Sequence, residues 1–184
     1  MARGRLLEMK RVMIVGPSGA GKSTLARRLG EILGLPVVHL DKLYWQPGWV
    51  EPPEEQFRAV ALQAAGGDSW VIDGNYFDRG AGKERLAACD TIIFLDFPRR
   101  VCMWQVFGRI VRTYGRVRPD LGEGCPEQFD WEFVKWVWGI PKRRPALVAM
   151  VDAHRATKRV IVLRSRRQVA SFLRAVEKAA SSAP

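Results

Sequence analysis

The chain has 184 residues, about the size of one ordinary domain and long enough to bury a core without disulfides or a structural metal. Hydrophobic residues make up 47% and charged residues 27%, which is the balance of a folded globular protein and not of a disordered one. No run of residues approaches the roughly 18 apolar positions that a membrane span requires. The formal net charge of +11 favours anionic partners: nucleotides, nucleic acid or acidic lipid.

Cysteine content and the N-terminal residues indicate the compartment. Cys89, Cys102 and Cys125 are odd in number and form no CxxC pair, which is typical of a reducing environment and argues against structural zinc. The first residues are basic but lack the apolar stretch of a signal peptide. The sequence therefore predicts a cytoplasmic protein, with residues 1–9 as a flexible extension before the first strand.

Taken in chain order, short apolar runs alternate with helical patterns, as in a parallel α/β sheet covered by helices on both faces. A helical stripe from Leu25 to Leu33 follows the first run and ends at Gly34, and a second stripe, Val169–Val176, follows the last run. We expect one domain over 1–184. The five predicted strands are Val12–Val15, Val37–Leu40, Trp70–Ile72, Thr91–Leu95 and Val160–Leu163.

Residues 98–154 do not follow the alternation of strands and helices. The segment carries four tryptophans, many arginines and a Gly/Pro-rich stretch from Arg118 to Pro126. This pattern predicts two helices joined by a turn and inserted before the last strand. The insertion is too short for a second domain but long enough to form a lid over a site.

The segment after the first strand matches GxxxxGK[ST] in full, and it lies between an apolar strand and an amphipathic helix, as a phosphate-binding loop requires. Glycines allow the backbone N–H groups to converge on phosphate oxygens, and the helix directs its positive end at the same anion. Lys22 is predicted to reach the β- and γ-phosphates of ATP, and the Ser23 hydroxyl to bind Mg²⁺. The predicted nucleotide-binding residues are Gly16, Pro17, Ser18, Gly19, Ala20, Gly21, Lys22, Ser23 and Thr24.

Three of the apolar runs end in an aspartate, at the sheet edge where α/β proteins bind ligands. Asp73 precedes a glycine and is predicted to assist Mg²⁺, since second acidic elements of P-loop enzymes hold the ion through water. Asp41 is predicted to orient or deprotonate a phosphoryl acceptor. For each, a helix cap or turn is the structural alternative, and for Asp96, followed by Phe97 and Pro98, the turn is favoured.

Phosphate binding alone leaves the reaction open. An NKxD guanine-reading motif is missing, and no glutamate follows the strand-end aspartates as in water-activating ATPases. A kinase excludes water and neutralises phosphate charge with lid arginines, a role that fits Arg109, Arg112 and Arg116 if one helix continues through Gly115. A solvated basic face is the alternative for these arginines. For the whole protein, the alternative is an ATP-binding regulator that acts on DNA through its basic surface.

The P-loop with its helix, the run Asp73-Gly74-Asn75-Tyr76 and the arginine-rich lid resemble the adenylate-kinase-like group of P-loop kinases. Further motifs are similar to a branch known as DNA topology modulation proteins. The resemblance implies a five-stranded sheet ordered 2-3-1-4-5, an ATP site and an unspecified acceptor. The motifs that carry it are Asp41-x-Leu43-Tyr44-Trp45-x-Pro47-Gly48-Trp49, Gly115-Arg116-x-Arg118-Pro119-Asp120 and Leu163-Arg164-Ser165-Arg166.

Overall fold

A computed structural model describes residues 7–182 and contains one five-stranded sheet in which every neighbouring pair is parallel. Its strand order is β2-β3-β1-β4-β5, so the predicted fold class and the order 2-3-1-4-5 are confirmed. Leu40, expected to end the second strand, begins a short helix instead. The strands are β1 (Arg11–Val15), β2 (Val37–His39), β3 (Trp70–Asp73), β4 (Thr91–Leu95) and β5 (Arg159–Leu163).

Helices cover both faces of the sheet because alternate side chains of each strand point to opposite sides. In β1, Val12 and Ile14 enter one apolar core, whereas Met13 and Val15 enter the other, and all four are fully buried. The helices are α1 (Lys22–Leu33), α2 (Leu40–Tyr44), α3 (Glu54–Ala65), α4 (Gly82–Ala88), α5 (Arg99–Thr113), α6 (Trp131–Trp138), α7 (Ile140–Ala153) and α8 (Arg166–Ala180).

The flexible extension predicted for residues 1–9 is tested only at its last three positions, because residues 1–6 lie outside the described part of the chain. There, Met9 is buried in the core and Leu7 packs against it. Glu8 forms an ion pair with Arg159 of β5. Residues 7–9 therefore belong to the folded domain.

The insertion before β5 contains three helices where two were predicted. The sequence pattern did not reveal the break at Gly139, which separates α6 from α7 and is followed by Pro141, a residue suited to a first helical turn. A second difference concerns the end of α5, which stops at Thr113, before Tyr114 in extended backbone and Gly115 at φ 72°.

Among residues 7–182, no helix is long and apolar enough to cross a membrane.

Candidate active site

The loop between β1 and α1 curls so closely against its neighbours that two positions exclude a side chain. A Cβ atom on Gly16 would lie 2.6 Å from the Leu95 carbonyl oxygen, and one on Gly19 would lie 2.4 Å from that of Cys102. Both glycines have positive φ, 145° and 81°. The loop is therefore fixed between the end of β4 and the first turns of α5, and α1 begins directly after it at Lys22.

The predicted donor-binding residues lie together in this loop. The Lys22 ammonium group donates to the Pro17 carbonyl oxygen at 3.3 Å, so its side chain folds back over the loop in which phosphates would bind. Within residues 7–182 the amides of Gly19 and Gly21 donate to no protein acceptor, which leaves them for an anion. Thr24 is exposed on the outer side of α1.

Asn75 holds the entrance of the loop. Its side-chain amide accepts a hydrogen bond from the Gly16 N–H and donates one to the Gly16 carbonyl, both at 3.0 Å. The amide thus acts like a strand neighbour and fixes both polar groups of the first loop residue. In the sequence, Asn75 is notable only as part of a resemblance, and no spacing rule would have assigned it this contact.

Asp73 lies at the end of β3 and is buried. Its Oδ1 atom is 2.6 Å from Nδ1 of His39, which stands opposite it in β2. His39 was not singled out from the sequence, although its place at the end of an apolar run was a signal of the same kind as the strand-end aspartates. One carboxylate oxygen of Asp73 thus pairs with the imidazole, and the described side chains give the other oxygen no hydrogen-bond partner.

Asp41 lies in the first turn of α2, and its Oδ1 atom accepts a hydrogen bond of 2.8 Å from the Tyr76 hydroxyl. Burial, and then the Asp41 charge, raise the pKa of Tyr76, so this hydroxyl stays a donor at any physiological pH. Tyr76 also packs edge-on or tilted against Phe57 and Tyr44. Asp41 is therefore held in place by the residue that follows Asn75.

Arg85 supports the loop that carries Asn75 and Tyr76. This arginine is completely buried in α4 and donates to the backbone carbonyls of Asn75, Tyr76 and Gly80 at 2.9–3.2 Å. Its Nη1 atom has no protein partner among the described residues, and burial lowers its pKa to about 10. Nothing in the sequence of this seven-residue helix indicated that Arg85 supports the loop.

Two lid arginines share one buried carboxylate. Arg109 of α5 and Arg118 of the following loop approach Oε2 of Glu127 at 3.1 and 2.9 Å, and Arg118 also reaches Asp120 at 3.2 Å. Although burial alone would raise the pKa of Asp120, Arg118 and the nearby Ser23 hydroxyl hold it below its ordinary value. In the lid, Arg118 thus pairs with Asp120, and Asp120 lies near the Ser23 hydroxyl.

The other two predicted lid arginines do not join this network. Because α5 ends at Thr113, Arg116 does not continue the helical face of Arg109 and Arg112, which corrects the prediction of one shared face. Arg112 and Arg116 are both exposed. Arg118, two residues further along the chain, shares the Glu127 carboxylate with Arg109 instead.

The lid loop also closes over the loop that follows Asp41. The Gly48 N–H donates to the Gly124 carbonyl at 2.9 Å, and the Trp49 indole N–H donates to the Pro126 carbonyl at 3.1 Å. A Cβ atom on Gly122 would lie only 2.0 Å from the Trp45 carbonyl oxygen. The tryptophans beside Asp41 therefore contact the lid, and the two loops form one wall of the site.

Asp96 is an ion-pair centre behind the P-loop. It receives two hydrogen bonds of 2.7 Å from Arg144 of α7 and one of 3.4 Å from Arg164. The Arg144 contact holds the pKa of Asp96 below its ordinary value. Asp96 therefore has a structural role as an ion-pair acceptor, whereas residues 96–98 do not form the turn that was favoured from the sequence.

Magnesium fits the chemistry of these side chains. The described residues contain no cluster of three or more acidic, histidine or cysteine side chains that would hold a metal alone. Mg²⁺ needs no such cage, since it binds through one or two protein ligands, phosphate oxygens and several waters. Ser23 with the free oxygen of Asp73 matches that mode of binding.

Comparisons with known proteins support a kinase. The chain is 31% identical over 133 residues to shikimate kinase from Pseudomonas savastanoi pv. phaseolicola, which is 64% of this chain and 73% of that enzyme. A 63-residue segment is 40% identical to the ATP-binding subunit ClpX of the Clp protease from Azotobacter vinelandii, but the match spans only 14% of that protein. No protein-family model matches the sequence.

Solved structures share the fold at lower identity. Shikimate kinase from Acinetobacter baumannii in complex with shikimate aligns over 94% of this chain and 93% of that one, with a TM-score of 0.58 and 16% identity. A gluconokinase from Sinorhizobium meliloti 1021 aligns over 94% and 91%, with a TM-score of 0.53 and 14% identity. Since the Pseudomonas enzyme exceeds 30% identity over most of its length, the chain belongs to the same family of P-loop kinases as shikimate kinase.

Proposed function

We propose that the chain transfers the γ-phosphoryl group of Mg-ATP to a hydroxyl group of a small molecule, with Asp41 as the residue that receives the acceptor. The observation that carries this proposal is the link between two loops. Asn75 binds the backbone of Gly16 in the P-loop, and the next residue, Tyr76, binds the Asp41 carboxylate. Two consecutive residues therefore set the position of the donor loop relative to the acceptor carboxylate.

The transfer assigns a task to each of these groups. The acceptor oxygen forms a bond to the γ-phosphorus while the bond from that phosphorus to the β–γ bridging oxygen breaks, which releases ADP. The hydroxyl proton passes to the free oxygen of Asp41 and then to solvent. Lys22 and the loop amides bind the phosphate charge. Bound Mg²⁺ would neutralise further charge, held by Ser23 and, through water, by Asp73.

Lid arginines complete the proposal. Arg118 pairs with Asp120, which lies near Ser23 of the donor site, and Arg109 supports Arg118 through their shared partner Glu127. A guanidinium group there would stabilise the charge that moves to the leaving oxygen. Arg112 and Arg116 are exposed and stand outside this ion-pair network.

A regulatory function on DNA is the second candidate, and one surface favours it. Within residues 7–182, nine of the ten large apolar side chains that are exposed fall between Trp104 and Trp138. Arginines stack on two of these rings, Arg99 at 3.8 Å from Trp138 and Arg143 at 4.2 Å from Trp136. Proteins that bind single-stranded nucleic acid stack its bases on aromatic rings and contact its backbone with cationic side chains.

One experiment separates the candidates. Protein is incubated with Mg-ATP labelled on the γ-phosphate and with small hydroxyl compounds, and ATP binding is followed by calorimetry. We expect transfer by the unmodified chain, loss of ATP binding in Lys22→Ala, and loss of transfer with ATP binding retained in Asp41→Ala. ATP binding without transfer, combined with DNA affinity that falls steeply as salt rises, would replace the kinase proposal with the regulatory one.

A further inference from the structure

The side chains around Asp41 restrict the chemistry of the acceptor, an inference that rests on the proposed function. A contiguous group of aromatic rings adjoins this carboxylate. Tyr76 lies 4.8 Å from Tyr44, which lies 5.0 Å from Trp45, which lies 5.4 Å from Trp49, measured between ring centroids. Trp45 and Trp49 are half-buried, so part of each ring is accessible at the end of this group of rings away from Tyr76.

Asp41 itself has no cationic partner among the described residues. Its single protein hydrogen bond comes from the neutral Tyr76 hydroxyl, and its side chain is only half-buried. The neighbouring cation on α2, Lys42, is exposed to solvent. The carboxylate therefore presents a negative charge to whatever approaches it.

The arginines near this group are already committed to other partners. Arg79 donates to the Tyr44 hydroxyl at 2.6 Å and to Glu51 at 3.1 Å. In the lid, Arg118 and Arg109 face Asp120 and Glu127, so two positive charges meet two negative ones.

Arg85 has no carboxylate partner, but it is completely buried. It lies behind the loop that carries Tyr76 and binds the backbone carbonyls of that loop. None of these four arginines is therefore both accessible and without a partner.

We propose that the acceptor is an uncharged or cationic alcohol with an apolar or aromatic face, and that the site discriminates against compounds carrying a carboxylate or phosphate. The reacting hydroxyl binds Asp41, and the apolar face packs on Trp45 and Trp49. An anion would lie close to the Asp41 charge, in a region of reduced dielectric where like charges repel strongly. This chemistry differs from that of the relatives named for shikimate and gluconate, which are carboxylates.

Matched pairs of compounds test the proposal. Each pair shares its hydroxyls and differs in one anionic group, for example a nucleoside with its 5′-monophosphate and a sugar alcohol with its aldonic acid. Binding is measured by tryptophan fluorescence in the presence of a non-hydrolysable ATP analogue. For the pair that binds, we expect the neutral member to bind at least tenfold more tightly. Equal binding, or tighter binding of the anion, would overturn the inference.

Two variants test whether Asp41 causes the ratio between the affinities for the neutral and the anionic member of a pair. Asp41→Asn keeps the size of the side chain and removes its charge, so the preference for the neutral member should fall at least tenfold. Lys42→Ala removes the adjacent exposed cation and should leave the ratio unchanged. A reversal of the preference by Lys42→Ala, or no change with Asp41→Asn, would contradict the assignment of discrimination to Asp41.

The result is distinguishable from a failure of the kinase proposal. Phosphoryl transfer to the anionic member alone would confirm a kinase and refute this inference. Selective binding of the neutral member without any transfer would support the inference and refute the kinase. If no compound changes the fluorescence while ATP binds, the acceptor site is not at Asp41, and the inference fails.

Discussion

Replacement of Asn75 by alanine tests the contact that joins the donor and acceptor loops. The amide makes two hydrogen bonds to one backbone residue, Gly16, and both lie in a partly buried region. Alanine fits the space but leaves the N–H and the carbonyl of Gly16 without their partners. Since unpaired buried polar groups carry a desolvation cost, the folded state should lose stability.

The size of the loss follows from the two contacts. An orphaned buried polar group costs about 1–3 kcal/mol, and partial burial favours the lower end, which gives about 2 kcal/mol for the pair. A domain of this length loses about 2–4 °C in Tm for each kcal/mol, so we expect a fall of about 4–8 °C. ATP binding should weaken as well, because Gly16 is where the phosphate loop begins.

Thermal unfolding and ATP calorimetry measure the two effects on the same protein. Gln63→Ala is the matched control, since Gln63 is an exposed amide side chain on α3 and its loss should shift neither quantity. Each kcal/mol of stability moves Tm by a few degrees. A Tm within about 1 °C of that of the unmodified chain would therefore contradict the prediction, because it would show that water replaces the amide with no loss of stability. A fall in Tm with unchanged ATP affinity would limit Asn75 to a structural role and remove it from the link between the two loops.

Two further predictions follow from pKa shifts. The contact with Arg144 lowers the pKa of Asp96 from its reference value of 3.8, so its stabilising contribution is complete above that value and disappears as pH falls through the lower folded pKa. Asp96→Asn should therefore destabilise the protein at neutral pH and flatten the acid limb of its stability curve, measured by urea unfolding between pH 2 and 7; an unchanged acid limb would contradict this. Burial raises the pKa of the Cys89 and Cys102 thiols to about 11, so a thiol reagent at pH 8 should label them only when the chain unfolds. Rapid labelling of either thiol in the native protein would contradict the prediction.

The strands could be predicted because the residues that mark each of them are adjacent in the sequence. Each strand is a short apolar run, and burial on both faces makes such a run distinct without knowledge of its neighbours. Similarly, the P-loop is specified by glycines whose positive φ values and close backbone approaches tolerate no other residue, as at Gly16 and Gly19. The strand runs and the glycine spacing are local in the sequence, although the backbone that excludes a side chain at Gly16 and Gly19 belongs to Leu95 and Cys102, far along the chain.

The supporting residues of the site depend on contacts that are distant in sequence. Asn75 meets Gly16 across 59 residues, and His39 meets Asp73 across 34. A single amide or imidazole has many possible partners before the sheet is assembled. Strand order brings β1, β2 and β3 side by side, and only then do these side chains have one neighbour within reach.

The lid shows that a cluster of arginines in the sequence does not reveal which of them form ion pairs in the fold. Its arginines occur in a stretch without acids, which favoured a set of free cations for the nucleotide. The fold instead returns Glu127 to that stretch, where it takes up Arg109 and Arg118 and is itself buried. Glu127 thus fixes Arg109 and Arg118, whereas Arg112 remains exposed to solvent. Which of these arginines are fixed in ion pairs is therefore set by the acids that reach them through the fold, and not by their spacing along one helix.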